Sequence, residues 1–324
     1  MLNKDGGNKM TVCIAAIYNG NSILGISDRM ITAGDVQFEP PSPKIVDVTN
    51  SIVVMTAGDA NIQTQLLNTI SPIIINKVNA EPQKWISVSE VADLYRNTYI
   101  KIRSDLAEKA ILSPYGLDYD SFISRQKSMS DEFVNDLSYK LRQFSIEAAH
   151  TIVAGLDESG PHIFVVRNDN VSCDDRVGFA AVGIGSNHAI SHFMLSGYTR
   201  SSPEPKALLT IHQAKKKSEA SPGVGQDTDM FVLGPNLGTF NMLVPVPDTS
   251  LDVIKDMDGF YKKYKAKIAR LDKETEIKIK DYLARLTEKT SPTQQAEPIA
   301  LTEKAVEKTV KKPRKVKTPV SSTQ

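Results

Sequence analysis

The chain has 324 residues, 40% hydrophobic and 24% charged, proportions of a water-soluble globular protein able to build a sizeable core. A formal net charge of +1 gives no global electrostatic reason to expect nucleic acid or an acidic membrane as partner. Cys13 and Cys173 are the only cysteines, too few and too far apart for a disulfide framework or a zinc-ligand set. No run reaches a membrane-spanning length.

In chain order, residues 1–10 are polar and carry Gly6-Gly7, and read as a flexible leader with no secretory apolar region. These features together imply a cytoplasmic protein. Thr11–Tyr18 and Ile23–Asp28 are β-rich runs on either side of Asn19-Gly20-Asn21-Ser22, a strong hairpin signal. Lys44–Val48 and Ile52–Thr56 form a second short pair. Asp59–Val78 has Ile62, Leu66, Leu67 and Ile70 at helical spacing, although the isoleucines at 73–75 blur the stripe. Helices are expected at about 87–110 and 131–146, flanking a polar, loop-like insert near 111–131.

Strands return at Thr151–Leu156, Ile163–Asn168 and Gly178–Val182. Helical patterns follow at 187–196 and 204–220, and the strands Met230–Leu233 and Thr239–Leu243 close the unit. Blocks of strands separated by pairs of helices predict an α+β protein of antiparallel sheets with helices packed outside, not alternating βαβ units. The order fits a four-layer αββα sandwich.

The domain expectation is therefore a leader over 1–10, a main α+β domain over 11–246, a helical extension over 247–290 and a basic tail over 291–324. In the extension, Met257, Tyr261, Tyr264, Ile268 and Leu271 recur at steps of four and three, as on an amphipathic helix. That stripe fits a helix packed on its own domain or a subunit contact. The tail is rich in Lys, Thr, Pro and Ser and is expected to be disordered.

Several signals lead nowhere. His188 and His192 stand four apart on a helical pattern, but no accompanying glutamate or third ligand is evident. Gly183-Ile184-Gly185 lacks the third glycine and the βαβ setting of a dinucleotide site. No phosphate loop of the Walker type occurs. Trp85, alone in the sequence, reads as a packing anchor. No cofactor or metal is expected.

What remains is an ordered series: Thr11 opening the first strand, Asp28 ending the second, Lys44 before the third and Ala57-Gly58 ahead of the first helix. Gly183-Ile184-Gly185-Ser186 then precedes another helix, and Gly223-Val224-Gly225 precedes Thr228-Asp229 and a closing strand. Over about 11–245 this series resembles the proteasome β-subunit superfamily of N-terminal nucleophile hydrolases, which includes the peptidase subunit of the bacterial two-component ring protease. Asp28 to Lys44 is sixteen positions (44 − 28) and Lys44 to Gly58 is fourteen (58 − 44), both as in that family. Thr11 to Asp28 is seventeen (28 − 11), one longer, and the hairpin turn can hold the extra residue.

The resemblance implies a threonine peptidase. Thr11 would be the nucleophile, with its own freed α-amine as base. Lys44 would disfavour a second positive charge on that amine, Asp28 would hold Lys44, and the Gly58 N–H would donate to the oxyanion. Where the family commonly has a serine between the two later glycines this chain has Ile184, and Ser186 is the hydroxyl it offers to support the amine. The family's aspartate near 221 is not evident, Ser218, Glu219 and Ser221 being the polar residues there. A free Thr11 amine requires initiation at Met10 followed by methionine removal, or cleavage after Met10.

The implied partners are a peptide or unfolded protein substrate, further copies of the chain in a ring, and an ATPase unfoldase supplied by a separate chain. Two alternatives accompany this reading: an inactive structural or scaffold subunit, and an amidohydrolase of small molecules on the same fold.

Overall fold

The computed structural model describes residues 11–33, 36–39, 44–82, 84–146, 149–234 and 250–290. The leader, the expected strand Thr239–Leu243 and the basic tail lie outside the described residues. The chain divides into two compact units between Ala266 and Lys267.

The first unit opens with β1 (Cys13–Tyr18) and β2 (Ser22–Asp28), antiparallel neighbours with Cys13 opposite Ser27. Between them Asn19 and Gly20 both take positive φ, 51° and 74°, in a turn closed by the Asn21 N–H donating to the Tyr18 carbonyl at 3.2 Å, and with Tyr18 opposite Ser22 the loop holds three residues. On the outer sides β2 pairs with β11 (Thr228–Leu233) and β1 with β10 (Phe179–Val182), giving a four-stranded sheet ordered β10-β1-β2-β11.

The second sheet runs β5-β6-β7-β8-β9: β5 is Ile45–Asp47, β6 Ile52–Gly58, β7 Ala149–Asp157, β8 Gly160–Arg167 and β9 Asn170–Cys173. A small hairpin of β3 (Ile31–Ala33) and β4 (Val36–Phe38) stands apart.

Side-chain alternation along β1 shows why every residue of that strand is buried. Val12, Ile14, Ala16 and Tyr18 join an apolar cluster with Ala189 and Phe193 of α5 (Ser186–Leu195) and Ala207, Ile211 and Ala214 of α6 (Glu204–Ser218). Cys13, Ala15 and Ile17 point the other way, into a cluster that they share with Val53, Met55, Ile152 and Ile163 of the second sheet. The far face of that sheet, through Ile52, Val54, Val153 and Val166, packs on α1 (Ala60–Ala80) and α2 (Val88–Ala107). The strands β1, β2, β6 and β7 are therefore buried along most of their length on both faces.

Helix α1 begins where Asp59 accepts from the N–H groups of Asn61 (2.7 Å) and Ile62 (2.9 Å). Its buried stripe, Ile62, Leu66, Ile70, Ile74 and Val78, repeats every fourth residue, while Ile73 and Ile75 face solvent. That split resolves the ambiguity of the isoleucine run.

The expected loop near 111–131 is mostly helical. A π turn (Glu108–Leu112) and a 3-10 turn (Ser113–Tyr115) lead to α3 (Tyr119–Arg125) and, after another 3-10 turn, to α4 (Asp131–Gln143). Leu112, Leu117, Phe122 and Leu137 bury one another in a small core of their own. Finally, α7 (Ser250–Thr290) crosses from the first unit into the second. Among the described residues, no helix is long and apolar enough to cross a membrane.

Candidate active site

Strand pairing brings Thr11 and Asp28 together. The β1–β2 register continues past Cys13 and Ser27, so that the Asp28 N–H donates to the Val12 carbonyl at 3.2 Å. The carboxylate of Asp28 then lies beneath Thr11, whose hydroxyl donates to Asp28 Oδ1 at 2.5 Å. Lys44, just ahead of β5, sends its ammonium to the same oxygen at 2.8 Å and also donates to Thr11 Oγ1. Three residues from three separate places in the sequence thus share one buried cluster. Thr11 is 3% exposed, Asp28 0% and Lys44 8%.

A buried carboxylate is costly unless its lone pairs are matched. Here Oδ1 also accepts from the Val12 N–H (2.9 Å), while Oδ2 accepts from the N–H groups of Met30 (3.2 Å) and Gly225 (2.9 Å). Asp28 is thereby a rigid anchor for Lys44. Lys44 in turn places a positive charge on the oxygen of a hydroxyl, the location where it stabilises a developing alkoxide.

The carbonyl of Thr11 packs against the turn before α5. The Gly185 N–H donates to it at 3.4 Å, and a Cβ built on Gly183, which holds φ at 94°, would stand 2.2 Å from that oxygen. A side chain at 183 would therefore displace the threonine, so the glycine is required by the close approach itself. Ser218, at the end of α6, secures the same turn by donating to the Gly185 carbonyl at 2.9 Å.

Two expected site residues are placed nearby but not joined to Thr11. Gly58 ends β6 opposite Ala149 with φ of 134°, and Thr56 in the same strand donates its N–H to the Lys44 carbonyl at 3.4 Å. Ser186 opens α5 and is half-buried, its N–H donating to the Gly183 carbonyl at 3.1 Å. Neither makes a hydrogen bond to Thr11 among the described residues.

Cys13, two positions from the threonine, is no rival nucleophile. Burial pushes its thiol up to about 12, so the thiolate is scarce near neutral pH. His192 engages Gln213 (3.0 Å) and Lys217 (3.0 Å) on α6.

One supporting residue escaped the sequence reading. Lys215 lies in the run Lys215-Lys216-Lys217, which reads as a solvated helix end, yet its side chain is fully buried. Its ammonium donates to the carbonyls of Gly225 (3.0 Å) and Gln226 (2.7 Å) and pairs with Glu219. This holds the loop whose Gly225 N–H reaches Asp28. Burial lowers the Lys215 pKa, opposed by the Glu219 carboxylate.

Lys215→Met is therefore expected to destabilise the fold by about 1–3 kcal/mol for each carbonyl left without a donor, read from urea unfolding. Lys215→Arg should recover little, because a guanidinium fork is broader than the enclosed ammonium it replaces. A wild-type midpoint for Lys215→Met would show that the loop does not need this clamp. No model of a known protein family matches the chain, and no curated protein matches it.

Proposed function

We propose that this chain is a threonine-type N-terminal nucleophile hydrolase that cleaves peptide bonds, similar to the proteasome β-subunit superfamily. The observation that carries the reading is the Thr11 hydroxyl held between the Asp28 carboxylate and the Lys44 ammonium. The succession of apolar clusters, helices on one sheet, sheet on sheet, and helices on the second sheet, supports a four-layer αββα sandwich.

In the proposed reaction Thr11 first becomes the terminal residue, through initiation at Met10 and loss of that methionine or through cleavage after it. Its α-amine then takes the hydroxyl proton while Oγ1 forms a bond to the substrate carbonyl carbon. Lys44 stabilises the oxygen that loses its proton, and the Gly58 N–H donates to the oxyanion. The C–N bond breaks, the amine takes the proton, and a Thr11 ester remains. Water, deprotonated by the same α-amine, hydrolyses the ester and restores the hydroxyl. Ser186 stands at the turn that packs on Thr11 and would come within reach of the freed amine through a water.

Peptide or unfolded protein is the proposed substrate, in a cytoplasmic ring of identical chains fed by a separate ATPase unfoldase. The second reading is a scaffold subunit without activity. It draws on the burial of Thr11 and on the amide that Thr11 makes with Met10.

Intact mass and N-terminal sequencing of purified protein separate the two. The hydrolase reading expects a chain beginning at Thr11, and labelling by a β-lactone or a peptide epoxyketone that disappears in Thr11→Ala. A chain that retains residues 1–10 under all conditions and resists both electrophiles would leave only the scaffold. Turnover of acyl-amides but not of peptides would instead favour a small-molecule amidohydrolase.

A further inference from the structure

We propose that α7 pairs with α7 of a second copy of this chain as an antiparallel two-helix coil over residues 260–279. This inference does not depend on the hydrolase reading. At the start of the seam α7 packs on α6: Asp258 bridges His212 (3.0 Å) and Lys216 (3.1 Å), and the Tyr261 ring meets His212 edge-on. From there the apolar side chains are no longer covered. Tyr264 is 42% exposed, Ile268 38%, Leu271 52% and Ile279 53%.

With Thr275 between Leu271 and Ile279, these residues follow at steps of four, three, four and four and occupy one face of the helix. Thr275, the polar member of the seam, already donates its hydroxyl to the Leu271 carbonyl at 2.8 Å, which leaves its methyl for packing. An isolated helix in water is marginal, because its stability comes mainly from burying an apolar face. A seam this long therefore calls for a cover.

Charge selects the occupant and its direction. Between Gly259 and Arg270 the basic residues are Lys262, Lys263, Lys265, Lys267 and Arg270, and no acid interrupts them; Asp272, Glu274 and Glu276 follow immediately. An antiparallel pair centred between Ala269 and Arg270 sets Ile268 against Leu271 and Tyr264 against Thr275 of the second copy. Along the two edges of the seam, Lys265 meets Asp272 and Lys267 meets Glu274, each twice by symmetry. Glu274 is already oriented by Arg270 at 3.1 Å.

A parallel in-register pair would keep only the Lys267–Asp272 match. An anionic membrane would suit the basic stretch, but it would meet the three acids directly behind it.

The test uses the full chain in a Cys173→Ser background, which removes the exposed thiol. Chains carrying Tyr264→Cys and Thr275→Cys are oxidised separately and after mixing. Antiparallel pairing expects a disulfide almost exclusively in the mixture, because like positions then lie about 16 Å apart along the axis. In equilibrium sedimentation of the uncrosslinked chain, Lys265→Glu with Lys267→Glu should weaken self-association at least tenfold. Mixing that variant with Asp272→Lys, Glu274→Lys should restore association as a heterodimer.

Disulfides within the separate samples would mean parallel pairing and overturn the proposal. So would no cross-link in any sample, or binding to phosphatidylserine vesicles without any link between chains.

Discussion

Replacing Asp28 with alanine is expected to destabilise the protein by about 3–5 kcal/mol, the range for removing one partner of a buried ion pair. The carboxylate is fully buried, and the side chain of Lys44 beside it is only 10% exposed. Without Asp28 the ammonium has no counter-charge, and the N–H groups of Val12, Met30 and Gly225 lose their acceptor together. Against a typical total of about 5–15 kcal/mol, such a loss leaves a large unfolded fraction.

Asp28→Asn keeps the shape and one acceptor oxygen but turns its amide toward existing donors, and should fall between alanine and wild type. If the damage flows through the unpaired ammonium, then Asp28→Asn with Lys44→Met should cost less than the sum of the two single changes. Urea unfolding of the four proteins measures this. Additive costs, or a loss below about 1 kcal/mol in Asp28→Ala, would mean that the pair does not organise the site.

The strands around the site were legible as short, β-rich apolar runs bounded by turn residues. Asn19-Gly20 marked the first hairpin, and the runs at 52–56, 151–156 and 163–168 became the strands Ile52–Gly58, Ala149–Asp157 and Gly160–Arg167, the last of which begins earlier and stops one residue short. The 111–131 insert was misread for a physical reason. Its helical pieces are too short to display a period, and Leu112, Leu117, Phe122 and Leu137 make a core only once folded on one another. The hairpin of β3 and β4 was missed because three residues per strand carry no alternation.

The site divides in the same way. Thr11, Asp28 and Lys44 could be proposed together from their order and spacing, and the fold joins them in one hydrogen-bonded cluster. Lys215 could not, since burial of one lysine in a run of three depends on the loop that closes over it.

Lys44→Met separates activity from stability, the opposite of the Asp28 result. Methionine fills most of the lysine stem's volume, and Asp28 keeps the Thr11 hydroxyl and its three backbone donors, so the buried carboxylate that loses its counter-charge should cost the fold less than Asp28→Ala does. The reaction should suffer far more. The ammonium is the only side-chain cation bonded to Thr11 Oγ1 among the described residues, so its removal takes away the charge facing the forming alkoxide. In the proposed mechanism its loss also takes away the charge that would disfavour protonation of a freed Thr11 α-amine. Losing one such electrostatic group typically lowers kcat about 10²–10³-fold, and losing a competent base as well about 10²–10⁴-fold. The measurement is the rate of acylation of the Thr11-terminal chain by a β-lactone, followed by mass alongside the unfolding midpoint. Wild-type acylation in a well-folded Lys44→Met protein would show that the hydroxyl reacts without the lysine and would remove the reason for placing the chemistry here.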